Sequence, residues 1–193
     1  MKSLLFASLF VATSAFAQTQ SWTLDASHSS INFAVDHLVI SETVGKFDKY
    51  DVEAKADKPD FTDAKFNVVI QTASINTADE KRDAHLKNAD FFNVEKHPTI
   101  TFVGKSFTKQ KNGTYKVNGT LTMNGVSKDI VLDGKLNGIV KDPWGGTRAG
   151  LKISGKVDRY DYGLKYNSAL ETGGLAIGKE VRITANIELV KKS

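Results

Sequence analysis

The chain of 193 residues contains no cysteine, which limits both its covalent structure and its chemistry. Disulfide bonds, thiol catalysis and thiolate metal sites are excluded, so the stability of the fold must come from burial of an apolar core. Apart from its first residues the chain lacks a long apolar run, and Ala17 is not followed by a cysteine that could carry a lipid. We therefore expect a soluble product.

Recognisable catalytic motifs are also missing. The four histidines include no His-x-x-x-His pair, the spacing typical of zinc sites. No serine stands in a Gly-x-Ser-x-Gly turn, and neither a Gly-x-x-x-x-Gly-Lys phosphate loop nor a dinucleotide fingerprint occurs. We predict a binding protein without a catalytic residue, a resident metal or a cofactor, and leave open a metal site assembled across strands.

The first residues have the pattern of a secretory signal peptide. A positive start at Lys2 is followed by an apolar stretch over residues 4–15 and by the cleavage pattern Ala-Phe-Ala, which ends at Ala17. The stretch is shorter than the roughly 20 residues that span a bilayer, and an uncleaved anchor is the weaker alternative. We therefore predict a signal peptide over residues 1–17, one domain over 18–193 and a periplasmic location.

The formal net charge is +4, and the lysines are spread along the chain with acidic residues between them. A nucleic-acid-binding surface needs basic residues gathered on one face together with stacking aromatic side chains. The charge pattern instead indicates a solvated surface, and we predict no nucleic-acid partner. The lysines on which this argument depends are Lys105, Lys109, Lys111, Lys116, Lys191 and Lys192.

Apolar and polar residues alternate along most of the chain, which is the pattern of strands with one buried face. In the first such strand Ile31, Phe33 and Val35 share one face. Asn112-Gly113 and Asn124-Gly125 stand between alternating runs and predict tight hairpins. About eight strands joined mostly by tight turns predict an all-β fold, an antiparallel barrel or sandwich with one helical excursion.

Small residues interrupt the inward face of the later strands. Gly119, Gly134, Gly155 and Ala185 all stand on the apolar parity of their strands. Because a small residue on that face removes side-chain volume from the interior, these strands predict a barrel that encloses a cavity. The alternative is that the glycines mark bends or bulges at the corners of the barrel.

A short helix is predicted near the middle of the chain. Thr77 and Glu80 have the Thr-x-x-Glu spacing of a capping box, in which the two side chains reciprocally cap a helix start. The helix is expected to run to about Asn88. The later stretch 158–179 has too much glycine and too little 3.6-residue periodicity to predict a second helix.

The most polar cluster beside aromatic residues lies on and after this helix. Arg82 and His85 are three residues apart and share a helix face, and Phe91 and Phe92 follow the helix end. One interpretation places the helix at a barrel mouth, with the phenylalanines inside and Arg82 or His85 at a head group. The other is that these side chains fasten the helix while the phenylalanines fill the core. His37 has the inward parity of its strand and belongs at the rim or inside.

A set of short motifs runs through nearly the whole chain after residue 17. It consists of Trp22, Asp25, His28, Ser29, Phe33, His37, Gly45 and Phe47, then Arg82-Asp83-x-His85-Leu86, Phe91-Phe92, Pro98-x-Ile-x-Phe102 and Asp161-Tyr162-Gly163-Leu164. Each motif is short, but together they are specific. In these residues the chain resembles the YceI-like family of exported polyisoprenoid-binding proteins.

This resemblance implies an extended, lipocalin-like antiparallel barrel that holds a long isoprenoid chain in its tunnel. Eight strands are wide enough for one small ligand, and strands of ~9 to 10 residues at ~3.3 Å each give a tunnel on the order of 30 Å long. The expected function is that of a carrier for an isoprenoid amphiphile, either a polyprenyl phosphate or an isoprenoid quinone.

We predict that inward apolar side chains contact the isoprenoid chain and that basic side chains at the mouth meet the head group. The predicted apolar lining is Phe33, Val35, Phe47, Phe91, Phe92, Phe102, Leu121 and Ile153. The predicted head-group residues are His37, Arg82 and His85.

Two other functions stay open at this stage. An enzyme or redox accessory would act on the bound lipid or quinone, with His37 or His85 as the acid or base. A fully packed interior would instead make the protein an interaction module. Transient contact with a membrane and a homodimer are both left open as well.

Overall fold

The computed structural model describes residues 19–171 and 173–192, so the predicted signal peptide lies outside the described residues. These ranges contain one α-helix, α1, with the bounds Glu80–Lys87. The strands are β1 Ser21–Leu24, β2 Ser30–His37, β3 Ser41–Phe47, β4 Tyr50–Lys55, β5 Lys65–Gln71, β6 Ile75–Asn76, β7 Thr99–Lys109, β8 Tyr115–Met123, β9 Val126–Lys141, β10 Thr147–Asp158 and β11 Ile177–Lys191.

The strands close into a barrel of eight antiparallel courses. β7 to β11 are unbroken courses, whereas the other three are divided into β1 and β2, β3 and β4, and β5 and β6. β11 pairs with β2 along its first part and with β1 along its last residues, and these two pair in turn with β3 and β4. The sheet therefore closes on itself, which confirms the predicted all-β barrel of about eight strands with one helix.

Because the strands run alternately up and down, each connection between them lies at one of the two ends of the barrel. One end, which we call the open end, carries the β2–β3, β8–β9 and β10–β11 connections and α1. The other, the closed end, carries the β4–β5, β7–β8 and β9–β10 connections. Both predicted hairpins are present, and Gly113, Asn124 and Gly125 adopt the left-handed conformation, with φ values of 82°, 50° and 74°.

Aromatic side chains fill the closed end. Phe61, in the β4–β5 connection, is 0% exposed and lies with its ring centroid 5.1 Å from that of Trp22. Phe107 is also 0% exposed and stacks on Tyr115 at a centroid distance of 4.2 Å. The Tyr115 hydroxyl donates a hydrogen bond to the carbonyl of Asp60 at 2.9 Å, which fastens the β4–β5 connection across the end of the barrel.

The helix begins later than predicted, and a different residue caps it. Asp79 is the N-cap, and its carboxylate accepts a hydrogen bond from the backbone N–H of Arg82 at 3.0 Å. Ala78 has φ of 59°, which turns the chain so that Thr77 lies outside the helix. The Thr77 hydroxyl donates to Asp83 at 2.6 Å instead of capping the first turn. No helix in residues 19–171 or 173–192 is long and apolar enough to cross a membrane.

Candidate ligand-binding cavity

The barrel encloses an apolar cavity of about 620 Å³ that reaches the open end. This volume lies in the range of small-molecule sites in proteins, ~300–1,000 Å³. Its wall is formed by inward side chains of nearly every strand, and its rim by residues of α1 and of the β10–β11 connection. The cavity rules out the fully packed interior that the sequence had left open.

All eight predicted lining residues lie on the wall of this cavity. Phe33 and Phe47 meet at a centroid distance of 5.7 Å, and Phe92 meets Phe47 edge-on at 6.4 Å. Phe91 and Leu121 are buried beside them. Strand alternation accounts for the six of them that stand on strands, Phe91 and Phe92 follow the helix, and contact of these side chains with a ligand stays a prediction.

The inward glycines have a different role from the one predicted. Gly119 and Gly155 face the interior, but the ring of Phe102 lies against Gly119 and the side chain of Leu132 against Gly155. Side chains cover Gly134 in the same way. Because a glycine has no Cβ, a neighbouring side chain can lie flat on the sheet there and leave the barrel axis free. The empty volume is therefore at the axis and not above the glycines themselves.

Arg82 lies on the rim of the cavity and also fastens α1 to the barrel. Its Nε donates to the Thr77 hydroxyl at 2.8 Å, and its Nη2 donates to the Thr77 carbonyl at 2.8 Å. Nη1 makes no hydrogen bond to any residue that the structure describes. The two interpretations of this residue are thus compatible, because Arg82 anchors the helix through two donors and presents a third nitrogen at the rim.

The two predicted rim histidines differ in their surroundings. His37 is exposed at the end of β2, so it lies at the rim and not in the interior. His85 is half-buried, and its Nε2 lies 3.0 Å from a carboxylate oxygen of Asp90. The His85 ring also meets Phe91 and Tyr166 edge-on, at centroid distances of 5.0 and 4.8 Å. This aromatic cluster forms one side of the mouth.

Arg159 is a cavity residue that the sequence did not reveal. Its side chain is 4% exposed and lies on the cavity wall. The guanidinium donates to the carbonyls of Gly178 at 2.9 Å, Tyr166 at 2.9 Å and Ile177 at 3.3 Å, and also to that of Leu164. Burial lowers the pKa of Arg159 from its ordinary value, although a guanidinium stays charged in proteins.

Arg159 therefore places a positive charge at the open half of the cavity. Within the described ranges it forms no ion pair; its electrostatic complement is a set of carbonyl dipoles and the ring of Tyr160, whose centroid lies 4.7 Å from the guanidinium carbon. Its donors also hold the β10–β11 connection against the start of β11. The signal that could have found it is its position two residues before the Asp161-Tyr162-Gly163-Leu164 motif.

At the closed end, Asp25, His28 and Glu188 come together in a geometry that could hold a metal ion. A cation already stands there, because the Arg148 guanidinium donates to Glu188 at 2.7 Å and also to Asp25. Hydrogen bonds from Ser27, His28 and Arg148, in that order, hold the pKa of Asp25 well below its usual range. This cluster is an ion-pair network that ties β1, β10 and β11 together.

A closed antiparallel barrel with an apolar cavity that reaches one end is the architecture of barrels that hold a small ligand. The profile of the YceI-like domain matches residues 22–189. The chain is 40% identical over 168 residues to the UPF0312 protein SAS2572 of Staphylococcus aureus strain MSSA476, and this match covers 86% of the chain and 95% of the relative. The chain belongs to the YceI-like family.

Solved structures agree with this assignment. The YCEI protein of Campylobacter jejuni is 30% identical with a TM-score of 0.70, over 98% of this chain and 100% of the other. BcnA of Burkholderia cenocepacia shares the fold at 18% identity and a TM-score of 0.74, over 86% and 98% of the two chains. A polyisoprenoid binding domain of Saccharophagus degradans shares it at 16% identity and a TM-score of 0.65, over 87% and 97%.

Proposed function

We propose that this protein is a periplasmic carrier that holds a long-chain isoprenoid amphiphile, a polyprenyl phosphate or an isoprenoid quinone, in the barrel cavity. The observation that carries the proposal is an apolar cavity that reaches the open end, where most of its polar lining residues gather. Its wall would bury an apolar chain at a gain of ~25 cal/mol per Å² of surface removed from water. The polyisoprenoid binding domain of Saccharophagus degradans, which shares the fold, supports the ligand class.

The rim supplies the groups that would fix the head group. Arg82 offers Nη1 and a positive charge, Lys81 lies beside it on the cavity lining, and His37 lies on the same rim at the end of β2. Cationic donors suit a phosphate, and the same N–H groups can donate to a quinone carbonyl. The chain would then extend past Phe33 and Phe102 toward the packed closed end.

The first test is native mass spectrometry of the processed protein from its own periplasm, followed by organic extraction of anything bound. We expect a stoichiometric isoprenoid. A protein that comes out empty, and that also fails to take up added polyprenyl phosphate or isoprenoid quinone, would disprove the proposal.

A matched pair of variants tests whether the cavity is the binding site. Ala185 lies on the cavity wall between Ile31 and Ile153, whereas Asn186 is the next residue of β11 and is exposed on the outer face. We expect Ala185→Trp to fill the axis and lower uptake of added ligand at least about tenfold. Asn186→Trp should bind like the wild type. Equal uptake by both folded variants would place the ligand elsewhere.

The enzyme alternative has one observation in its favour, the pairing of His85 with Asp90 at the mouth. A carboxylate partner can orient a histidine for proton transfer. If the protein is a carrier, the ligand should be recovered unmodified after long incubation. A modified lipid or quinone that no longer forms with His85→Ala would support chemistry instead.

A further inference from the structure

The turn between β2 and β3 exposes three consecutive apolar side chains at the open end. We call Leu38, Val39 and Ile40 the apolar tip. Their exposed fractions are 37%, 74% and 85%, and Ile40 is more exposed than any other large apolar side chain among residues 19–171 and 173–192. Apolar patches that stand out from a soluble protein commonly mark contact with a partner or a membrane.

The tip sequence is unfavourable for the turn that it forms. Leu38 and Val39 have φ values of 53° and 64°, and the N–H of Ile40 donates to the carbonyl of His37 at 3.3 Å. Two consecutive residues with positive φ are the signature of type I′ turns, for which Asn-Gly is preferred. A β-branched residue in this region is an outlier, and left-handed residues cost roughly 1–2 kcal/mol each. The requirements of the turn therefore do not explain the residues of the tip.

Another hairpin at the same end gives the comparison. The β8–β9 turn uses Asn124-Gly125 with φ values of 50° and 74°, so this chain does place the favourable pair at an open-end turn. The apolar tip has Leu38 and Val39 at similar φ values, 53° and 64°. Its side chains are thus better explained by something that they contact outside the barrel.

The tip is fixed beside the mouth of the cavity. His37, the residue before it, lies on the cavity rim and pairs with Ile177. The N–H of Leu38 donates to the carbonyl of Ala176 at 2.8 Å, which fastens the tip to the β10–β11 connection. Leu175 and Val44 add two more exposed apolar side chains beside it. A surface that covers the tip therefore also faces the mouth.

The cavity lining carries two cations without an ion-pair partner. Beside the tip, Asp36 and Glu42 are both paired with Arg182, at 2.9 and 2.8 Å. On the cavity lining, Lys81 and Arg82 form no ion pair with any residue in the described ranges, and the Asp79 carboxylate stands on the same lining. Apolar residues that insert into a bilayer next to cations that meet anionic head groups form the usual combination for reversible membrane binding.

We propose that the apolar tip inserts into the surface of a bilayer that contains anionic lipid and holds the cavity mouth against it while ligand passes. This inference rests on the proposed function, because an isoprenoid ligand resides in a membrane and must cross the mouth. The rim cations favour a lipid surface over a second copy of the chain as the occupant.

The test uses vesicles of phosphatidylcholine with and without phosphatidylglycerol, and the processed protein. The variant Leu38→Asn, Val39→Gly, Ile40→Thr removes the tip but supplies the favourable turn pair, so its Tm should equal or exceed that of the wild type. We expect the wild type to co-sediment with anionic vesicles and the variant to lose at least about tenfold in affinity. Trp144→Ser is the matched control. Trp144 is 83% exposed but lies at the closed end, so its loss should not change vesicle binding.

A second measurement does not depend on loss of binding. Ile40→Trp in a Trp144→Phe background places an indole at the tip, while Trp22 stays buried in the closed end. Its emission should shift to the blue on anionic vesicles and be quenched by lipid-borne quenchers. An indole that stays in water on bound protein would overturn the proposal.

Three other outcomes would also overturn the proposal. The tip variant could bind vesicles as the wild type does, or the wild type could bind neither kind of vesicle. In the third outcome, the tip variant abolishes a dimer without changing vesicle binding, which would assign the tip to a second copy. Uptake of ligand from detergent separates the two proposals, because a tip variant that still takes up ligand leaves the carrier function intact.

Discussion

The two ends of this barrel are built from the same eight courses and the same alternation of apolar residues, yet one is solid and the other encloses a cavity. At the closed end Phe61 and Phe107 are 0% exposed, and the Phe107 ring lies against Gly134 and stacks on Tyr115. Toward the open end Phe33 and Phe102 lie flat against Gly45 and Gly119 and leave the axis empty. Rings lie on glycines at both ends, so the glycines alone do not decide which end is filled; the closed end is filled by its β4–β5 connection, whose Phe61 packs on Trp22.

A pair of phenylalanine truncations tests whether the closed end is packed more tightly than the open end, and its expected effect is the largest. Phe107→Ala removes a ring stacked on Tyr115 and packed edge-on against Phe66, so it should lower the free energy of unfolding by ~3–5 kcal/mol. Phe33→Ala removes a ring that borders empty space on one side, so the loss should be roughly 1–2 kcal/mol. Urea unfolding of delipidated protein measures both.

Addition of ligand is the control for these two truncations. Added isoprenoid should raise the stability of the wild type and of Phe107→Ala alike, because the proposed binding site lies toward the open end. Equal losses from the two truncations would mean that the open half packs as tightly as the closed end, and the distinction between the two ends would be wrong.

Much of this architecture could be predicted from the sequence, because period-two alternation and the Asn-Gly turns are local signals. The division of three courses into halves could not, since a segment as short as β6 carries no readable period. Nor could the plug at the closed end, where Phe61 stands in a connection with a φ of 57° and owes its burial to contacts across the barrel.

Prediction of the site from the sequence was limited in the same way to local signals. The strand parity placed Phe102 and Ile153 on the cavity wall, because parity is a local property. Arg159 was missed, because its burial depends on carbonyls up to 19 residues away in a stretch without periodicity. The capping residue was also wrong, since the positive φ of Ala78 moved Thr77 out of the helix. Tertiary contacts decided each of these outcomes.

A second prediction concerns the pH dependence of the closed end, with a smaller expected effect. The Arg148 guanidinium is the main cause of the lowered pKa of Asp142 and contributes to that of Asp25. A pKa that is lower in the folded protein gives stability above the ordinary aspartate pKa of about 3.9, and this stability is lost as the pH falls. Arg148→Leu should therefore lower the Tm at neutral pH and flatten its decline below about pH 4.

Lys105→Met is the control for this prediction. Lys105 pairs with Asp129 at 2.7 Å, but both side chains are largely exposed, so the pair should add little to stability. Thermal melts between neutral pH and about pH 2 distinguish the two variants. A wild-type slope in Arg148→Leu would show that the network does not couple folding to protonation.

The smallest expected effect concerns the open end, where Thr77 fastens α1 to the barrel. Thr77→Val keeps the shape of the side chain but removes the hydroxyl that accepts from Arg82 and donates to Asp83. Two backbone contacts persist, because the Thr77 N–H still donates to Asp83 and its carbonyl still accepts from Arg82. We expect a local loss of about 1 kcal/mol in total, because both partners keep a backbone contact and the two lost hydrogen bonds then lie at the low end of the usual ~0.5–1.5 kcal/mol each.

Hydrogen exchange can locate this loss. Amides of α1 should exchange roughly fivefold faster in Thr77→Val, while amides of the closed end should keep their wild-type rates, because the closed end does not depend on the helix. Thr122→Val removes an exposed hydroxyl bonded to Ser127 and should change neither. Faster exchange throughout the barrel would instead mean that α1 and the closed end unfold as one unit, and that the mouth cannot open without the rest.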